Sequence, residues 1–314
     1  FLPTGKPFTA ARGKALLVVA VLAPVVAALW GIVLRLNNET GWSFANSVYL
    51  DDMSFFFVFL FAGVAAAVIL ASQEYAKRFG SYEAEYYALL LFATAAMMLL
   101  ANSRDLVVIS VALETTSITQ YILAALQKDQ KSTEAGMKYL LLGAVASAVI
   151  LYGMAFLFGL TGTTRLVAPE GQLSIASAIA ERGTEIEAGL LMGRVFMIGR
   201  LGFKMAGVPF QMWAPDVYEG APAPVAAFLS VASKAAGFAV VLRIFFEGLP
   251  DGSISSDWSV IFAIIAAISM TVGNVFALVQ TNIRRLFGYS SIAQAGYFMV
   301  GLAAIKADEG LTLG

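Results

Sequence analysis

The sequence predicts an all-α polytopic membrane protein of about nine transmembrane helices, and three observations carry that prediction. Hydrophobic residues make up 59% of the chain and charged ones only 13%, with a mean hydropathy of +0.79, a balance foreign to water-soluble globular chains. Apolar segments long enough to span a bilayer recur along the whole length. One of them, Ala188 to Tyr218, is interrupted where a simple spanning helix would continue. Pro209 lacks an amide hydrogen and turns Val208 away from helical geometry, while Gly202 and Gly207 lower the local helix preference. The helix should break near Gly207–Pro209.

Composition also excludes function classes. The formal net charge is -1, from 20 Lys+Arg against 21 Asp+Glu, and no basic tract is interleaved with aromatics, so nucleic-acid binding has no footprint. Without cysteine or histidine, disulfides, thiolate-ligated iron–sulfur clusters, His-ligated haem and most zinc sites are ruled out within the chain. No metal or cofactor site is expected, and any redox chemistry must happen elsewhere. The chain begins at Phe1 rather than methionine and stops at Gly314 just after an apolar segment, which reads as an incomplete protein.

The spans fall at about 15–36, 52–72, 84–101, 106–126, 135–160, 187–210, 222–247, 258–281 and 286–305, and residues 1–314 read as a single membrane domain. Lys6, Arg12, Lys14, Lys77, Arg78, Lys128, Lys131, Arg284 and Arg285 share one side, against Arg104, Arg165 and Arg182 on the other. That bias makes the N-terminal end cytoplasmic and, with an odd count of spans, puts Gly314 outside. Glu39, Asp51, Asp52, Asp251 and Asp257 fall in the outer connections.

The first span carries Pro24 and no buried charge, so packing or lipid contact is its role. The second crowds Phe55, Phe56, Phe57, Phe59 and Phe61 into its outer half, an aromatic stripe for core or lipid-facing surface. The third, with Tyr86, Tyr87, Met97 and Met98, reads likewise. The fourth, LVVISVALETTSITQYILAAL, differs: Glu114 lies ~12 Å from its outer end and ~18 Å from its inner end. Ser110, Thr115, Thr116, Ser117, Thr119 and Gln120 can hydrogen-bond a carboxylate or hold water there. An intramembrane carboxylate is a functional candidate by default; a structural ion pair or a protonated, hydrogen-bonded acid is the alternative.

The fifth span opens with Lys138 and continues through Gly143, Ala144, Ala146, Ser147, Ala148 and Gly153, small residues that permit close helix approach. Lys138 is less than a turn inside the cytoplasmic end, so snorkelling to water competes with a functional role. Thr161 to Glu185 forms an external loop with one short amphipathic helix, IASAIAERG. In the broken span Lys204 sits near mid-membrane, where insertion of a lysine costs about 2.5 to 3.5 kcal/mol and a partner or hydrated cavity is normally found. Broken helix plus buried cation suggests ion transport. Arg200, four residues earlier, shares its face and should repel it; a pair with Glu114 is the simplest accommodation. Arg194 receives no role.

The following PDVYEGAPAP is a rigid cytoplasmic turn, with Asp216 and Glu219 read as caps and loop contacts. Lys234 then lies at mid-depth in 222–247, flanked by Ser230, Ser233 and small residues. Two lysines and one carboxylate thus share a layer. The last two spans carry Asn274, Gln280 and Gln294 but no buried charge.

No nucleotide-binding or hydrolytic motif is present. The strings FKMAGVPFQMWAPDVYEGAPAPVAAFLSVASKAAGF, EAGMKYLLLGAVASAVILYG and RRLFGYSSIAQAGY resemble the subunit N family of respiratory complex I and its equivalent, subunit 2, in the photosynthetic NDH complex. The resemblance runs from about Asp51 to Ala304, and PDVYEGAP favours subunit N over the sister antiporter-like subunits and the multisubunit sodium/proton antiporters.

The resemblance implies a fourteen-helix antiporter-like fold with two inverted five-helix repeats, of which one helix before this chain and about four after it would be missing. It implies that Glu114 modulates a lysine on the broken helix, that Lys204 is that lysine, that Lys234 passes protons toward the centre, and that Lys138 is the lysine of the preceding helix. It implies a proton-translocating membrane-arm subunit of an NADH- or ferredoxin:quinone oxidoreductase. Its partners would be subunit M- and subunit K-type neighbours and lipid, with NADH or ferredoxin, FMN, iron–sulfur clusters and quinone in other subunits. The location would be the bacterial plasma membrane, or the thylakoid if photosynthetic. Where the family usually has histidine this chain has Gln211, and where many members have one it has Gln294, so a relay here runs on Lys, Glu and water or along hydroxyl-lined paths.

The expected mechanism is electrostatic: a Glu114 carboxylate favours the charged form of Lys204, and withdrawing it expels the proton toward Lys234. At an effective dielectric of about 20, a contact near ~4 Å is worth roughly 4 kcal/mol, enough to switch a lysine. The alternative functions are a sodium/proton antiporter subunit using the same lysines, and a structural scaffold in which the charges are inert pairs.

Overall fold

A computed structural model of the chain describes residues 10–182, 185–249 and 255–305. Of the positions used to orient the chain, Lys6, Asp251 and Gly314 lie outside the described residues, as do the side chains of Arg12 and Asp257. The elements run α1 (Ala10–Leu36), β1 (Gly41–Ser43), β2 (Val48–Leu50), α2 (Asp52–Ala71), α3 (Gln73–Ala76), α4 (Glu83–Asn102), α5 (Leu106–Ala124), α6 (Gln130–Thr161), α7 (Ile175–Arg182), α8 (Glu187–Met205), α9 (Trp213–Gly220), α10 (Ala223–Phe228), α11 (Lys234–Val241), α12 (Ser255–Leu278) and α13 (Ile283–Ala304). α10 and α11 are the α-helical parts of one continuous helix, Ala223–Gly248, whose Leu229–Ser233 and Leu242–Gly248 stretches widen to π-helix.

Each segment read from hydropathy finds its helix within a few residues. Among the described residues, seven helices are long and apolar enough to cross a membrane. α8 is not one of them, because Arg194, Arg200 and Lys204 fall within its 19 residues, and α13 is excluded by residues such as Ser290, Ser291 and Gln294. The fifth span starts at Gln130 rather than 135, because Asp129 caps it, accepting from the Ser132 amide at 2.7 Å, and the polar turn QKSTE becomes helical.

Short polar connections supply the other N-caps. Asp51 accepts from Ser54 N at 2.7 Å, Asp105 from Val107 N at 2.8 Å, and Asn282 from Arg284 N at 2.9 Å. At the end of the bundle that the Lys/Arg bias assigns to the outside, the chain builds a small cover. The β1–β2 hairpin, absent from the sequence reading, pairs Gly41 with Leu50 and docks on the α4–α5 connection, where Arg104 N donates to Ser47 O at 2.8 Å. The surface helix forms as expected, as α7, with Ile175 and Ile179 turned inward.

Ala223–Gly248 is the central helix. Of its best apolar window 61% is buried, against 17% for Gly13–Leu36, so the helix that carries Lys234 is walled by α2, α4, α5 and α8, while α1 faces outward.

Candidate functional site

The break in the membrane segment is built by local hydrogen bonding. Ala206 takes left-handed backbone angles (φ 59°) after the last turn of α8. Its amide donates to Phe203 O at 3.0 Å and that of Gly207 to Gly202 O at 2.9 Å, the paired closure of a Schellman end. Beyond it, Val208 N donates to Ser269 Oγ at 2.9 Å, and Trp213 Nε1 donates to Phe203 O at 2.8 Å. Irregular backbone survives at membrane depth because side chains of neighbouring segments take up the freed groups.

Lys204, in the last turn of α8, is 1% exposed. Its Nζ donates to Gln120 Oε1 at 2.9 Å. The same oxygen accepts from Ser233 Oγ at 3.0 Å and Tyr139 Oη at 3.2 Å, so α5, α6, α8 and the π-helical stretch before Lys234 meet on one amide. Tyr139 is held there by stacking on Trp213, with ring centroids 4.4 Å apart and planes 10° from parallel. Gly237 lets α11 approach the lysine stem, since a Cβ there would stand 3.3 Å from Lys204 Cγ and 3.0 Å from Met205 Cγ.

The direct contact expected between Glu114 and Lys204 is not what the structure forms. Glu114 pairs with Arg200, Oε1 to Nη2 at 3.3 Å, and no ion pair links it to Lys204. Arg200 is fully buried and also donates to Ser117 Oγ at 2.7 Å and Gly143 O at 3.1 Å. A side chain at Gly143 would run into Tyr121, whose hydroxyl fills the space. The physical reason is register. In the predicted topology α5 and α8 both run from the outer side inward, so Arg200 meets the earlier Glu114 and Ser117, and Lys204, one turn deeper, meets Gln120. The simplest accommodation of Arg200 holds. Glu114 itself is 34% exposed on the outer flank of the bundle. Arg194 is fully buried in α8.

Lys234, 4% exposed, donates to Ser291 O on α13, whose hydroxyl meets Tyr218 Oη at 2.8 Å. It also lines a groove of about 1080 Å³ along α2, α10–α11 and α13, where Gln294 lies with Phe56, Phe287 and Phe298.

Lys138 is not brought into this layer. Its side chain is 45% exposed and ion-paired to Asp216 and Glu134, each at 2.8 Å. Asp216 and Glu219 bond Arg285 at 2.6 and 3.1 Å, so they tie α9 to α13 rather than cap a helix. The adjacent Tyr139, not Lys138, reaches inward to Gln120.

Residues 103–313 match the NADH:quinone oxidoreductase/Mrp antiporter transmembrane family. The chain belongs to that family. It is 46% identical over 273 residues to NADH-quinone oxidoreductase subunit N 2 of Symbiobacterium thermophilum, covering 84% of this chain and 53% of that one. It is 43% identical over 298 residues to NAD(P)H-quinone oxidoreductase subunit 2 of Nostoc punctiforme, covering 94% and 54%. A chain of respiratory complex I from Thermus thermophilus with bound aureothin superposes with a TM-score of 0.74 at 32% identity, over 95% of this chain and 60% of that one. The chain thus spans about half the length of the curated relatives it matches.

In this member of the family, sequence reasoning missed a second charged centre. Arg243, fully buried near the outer end of the central helix, donates to both oxygens of Asp51 at 2.7 Å, to Glu247 at 2.5 Å, to Ser54 Oγ at 3.0 Å and to Ala101 O at 2.7 Å. Arg104, counted in the sequence only as a topology marker, bonds Asp51 at 2.7 Å and Glu247 at 2.8 Å. Burial works to raise the Asp51 carboxyl, but the Arg243 hydrogen bonds and charge, with Ser54 and Arg104, outweigh it and hold the group well below the usual carboxylate range. Two cations and two carboxylates clasp α2, the α4–α5 connection and the central helix. An arginine within an otherwise apolar run, with acids at both outer connections, was the available signal. Among the described residues no group of three or more Asp and Glu is placed to hold a metal ion.

Proposed function

We propose that this chain is part of a proton-translocating membrane-arm subunit of an NADH- or ferredoxin:quinone oxidoreductase. One observation carries the reading: a Lys204 ammonium, buried beside a broken helix, is held by a neutral amide that also binds the hydroxyl next to a second buried lysine, Lys234. Nothing in such a site anchors the ammonium as a carboxylate would, so the lysine is free to exchange its proton. Family membership and the subunit N relatives support the same reading. In it Lys204 carries the proton, Lys234 receives it, Glu114 acts on Lys204 through Arg200, and Lys138 with Asp216 forms the cytoplasmic rim of the path. Subunits of the M and K types and lipid flank the chain in a bacterial plasma membrane, or a thylakoid in a photosynthetic source. NADH or ferredoxin, FMN, iron–sulfur clusters and quinone belong to other subunits.

The test is Lys204→Ala in the complete complex, reconstituted into vesicles. The expected outcome is normal assembly with a lowered ratio of protons pumped to electrons transferred. An assembled variant that pumps at the original ratio refutes the function.

A further inference from the structure

Gln120 is fully buried, and its carbonyl oxygen takes donors from three directions: Lys204 Nζ at 2.9 Å, Ser233 Oγ at 3.0 Å and Tyr139 Oη at 3.2 Å. A carbonyl oxygen has two lone pairs, so three donors compete for it. The charged donor bonds most strongly and orients the amide with oxygen toward Lys204. The other end of the amide, Nε2, is buried without a hydrogen-bond partner in the chain.

We propose that Gln120 is the positioning residue for the Lys204 proton, holding the ammonium beside the Ser233 hydroxyl and turning its amide end for end when the proton leaves. The chemistry follows from the two forms of the lysine. An ammonium is donor-only and requires an acceptor; a neutral amine carries a lone pair and is best met by a donor. A glutamine offers both ends and never takes the proton itself. A carboxylate at 120 would hold the ammonium and could not donate to the amine. An apolar residue would leave the ammonium short of its acceptor. Because Ser233 shares the acceptor, the held ammonium and the helix that carries Lys234 meet on one amide oxygen. This inference rests on the reading that Lys204 carries the transported proton.

The charged and titratable groups around Lys204 and its acceptor are Arg200 on its own helix, Glu114 and Tyr121 on α5, Tyr139 on α6, Tyr218 on α9 and Lys234 on α11. Tyr139 shares the acceptor and loses it alike in Gln120→Leu and Gln120→Met, so the opposite signs expected of apolar and acidic side chains isolate the effect on Lys204. The experiment measures pumping per electron against pH in the complete reconstituted complex for Gln120→Leu, Gln120→Met and Gln120→Glu, beside Lys204→Ala. Gln120→Leu and Gln120→Met should fail at a lower pH than the parent on the alkaline side, losing about tenfold at pH 8 and recovering near pH 6. Gln120→Glu should move the same limb to higher pH, with slower turnover throughout. Shifts of the same sign, an unshifted profile with only lower amplitude, or failure of all three variants to assemble where Lys204→Ala assembles would each overturn the proposal. If Lys204→Ala pumps normally the underlying function falls. If Lys204→Ala is inactive while the position-120 variants keep the parent profile, only the role of Gln120 falls.

Discussion

Arg243→Met tests whether the outer clasp is an energetic unit. Methionine replaces much of the buried stem and removes every hydrogen bond the guanidinium makes. The clasp then holds Asp51 and Glu247 against Arg104 alone, one negative charge in excess. Removing one partner of a buried pair costs about 3 to 5 kcal/mol. The carboxylates are 27% and 24% exposed, so water offsets part of the loss and the lower end, about 3 kcal/mol, is expected. The assay is equilibrium unfolding of the full-length subunit in detergent. Arg243→Met with Asp51→Asn restores neutrality and should cost less than the sum of the single changes by about 1 to 3 kcal/mol. The pH dependence has a definite sign. Asp51 lies below its ordinary value of 3.8 in the folded chain, so its stabilisation is fully present above that value and is lost only as pH falls through it. The Asp51 share of the gap between parent and Arg243→Met, isolated by repeating the pair in an Asp51→Asn background, should therefore be constant from pH 7 to 5 and narrow below about pH 4. Additive losses, or a variant as stable as the parent, would refute the clasp.

Two further outcomes follow from the central layer. In double-mutant cycles, Glu114→Gln should couple strongly to Arg200→Gln, because each change strands the other charge, and only weakly to Lys204→Ala; pumping and unfolding measurements on the four-member cycles decide, and the reverse ranking contradicts the contacts seen here. Lys234→Arg should arrest pumping while preserving assembly, since a guanidinium stays charged where an ammonium can discharge; parent-like turnover would make Lys234 a fixed charge.

Much of the architecture was legible in the sequence because its signals are local. Hydropathy marks each span, and Gly207 with Pro209 marks the break without reference to any other helix. Lys204 and Lys234 are buried as their depth required. What was not legible depends on which faces meet. Arg200 and Lys204 do share a face, but four residues of separation place them against different parts of α5, and only the pairing of the two helices assigns Glu114 to the arginine. Gln120 was named only as one of six polar residues near Glu114, not as the acceptor for Lys204; its spacing of three from Ser117, itself three from Glu114, marks one face of α5 and was the available clue. The hairpin escaped because strands of three residues carry no period. Lys138 escaped the deep layer by the snorkelling its position allowed.

The central layer holds Arg200, Lys204 and Lys234 against one carboxylate, and the way each cation is held separates their roles. Arg200 has the carboxylate, a hydroxyl and a backbone carbonyl, and a guanidinium does not give up its proton as an ammonium can. Lys204 and Lys234 are held by an amide and a backbone carbonyl, neutral acceptors whose grip survives the loss of the proton only weakly. The arginine is therefore the fixed charge and the lysines are the exchangeable ones. It follows that moving Glu114 does not act on Lys204 as a bare charge at ~4 Å. Paired with Arg200, the carboxylate presents a dipole, and its displacement matters chiefly by releasing the arginine's charge one turn from the lysine, where repulsion favours expulsion of the proton. On the proposed function, Arg200 belongs to the switch, not merely to the packing that surrounds it.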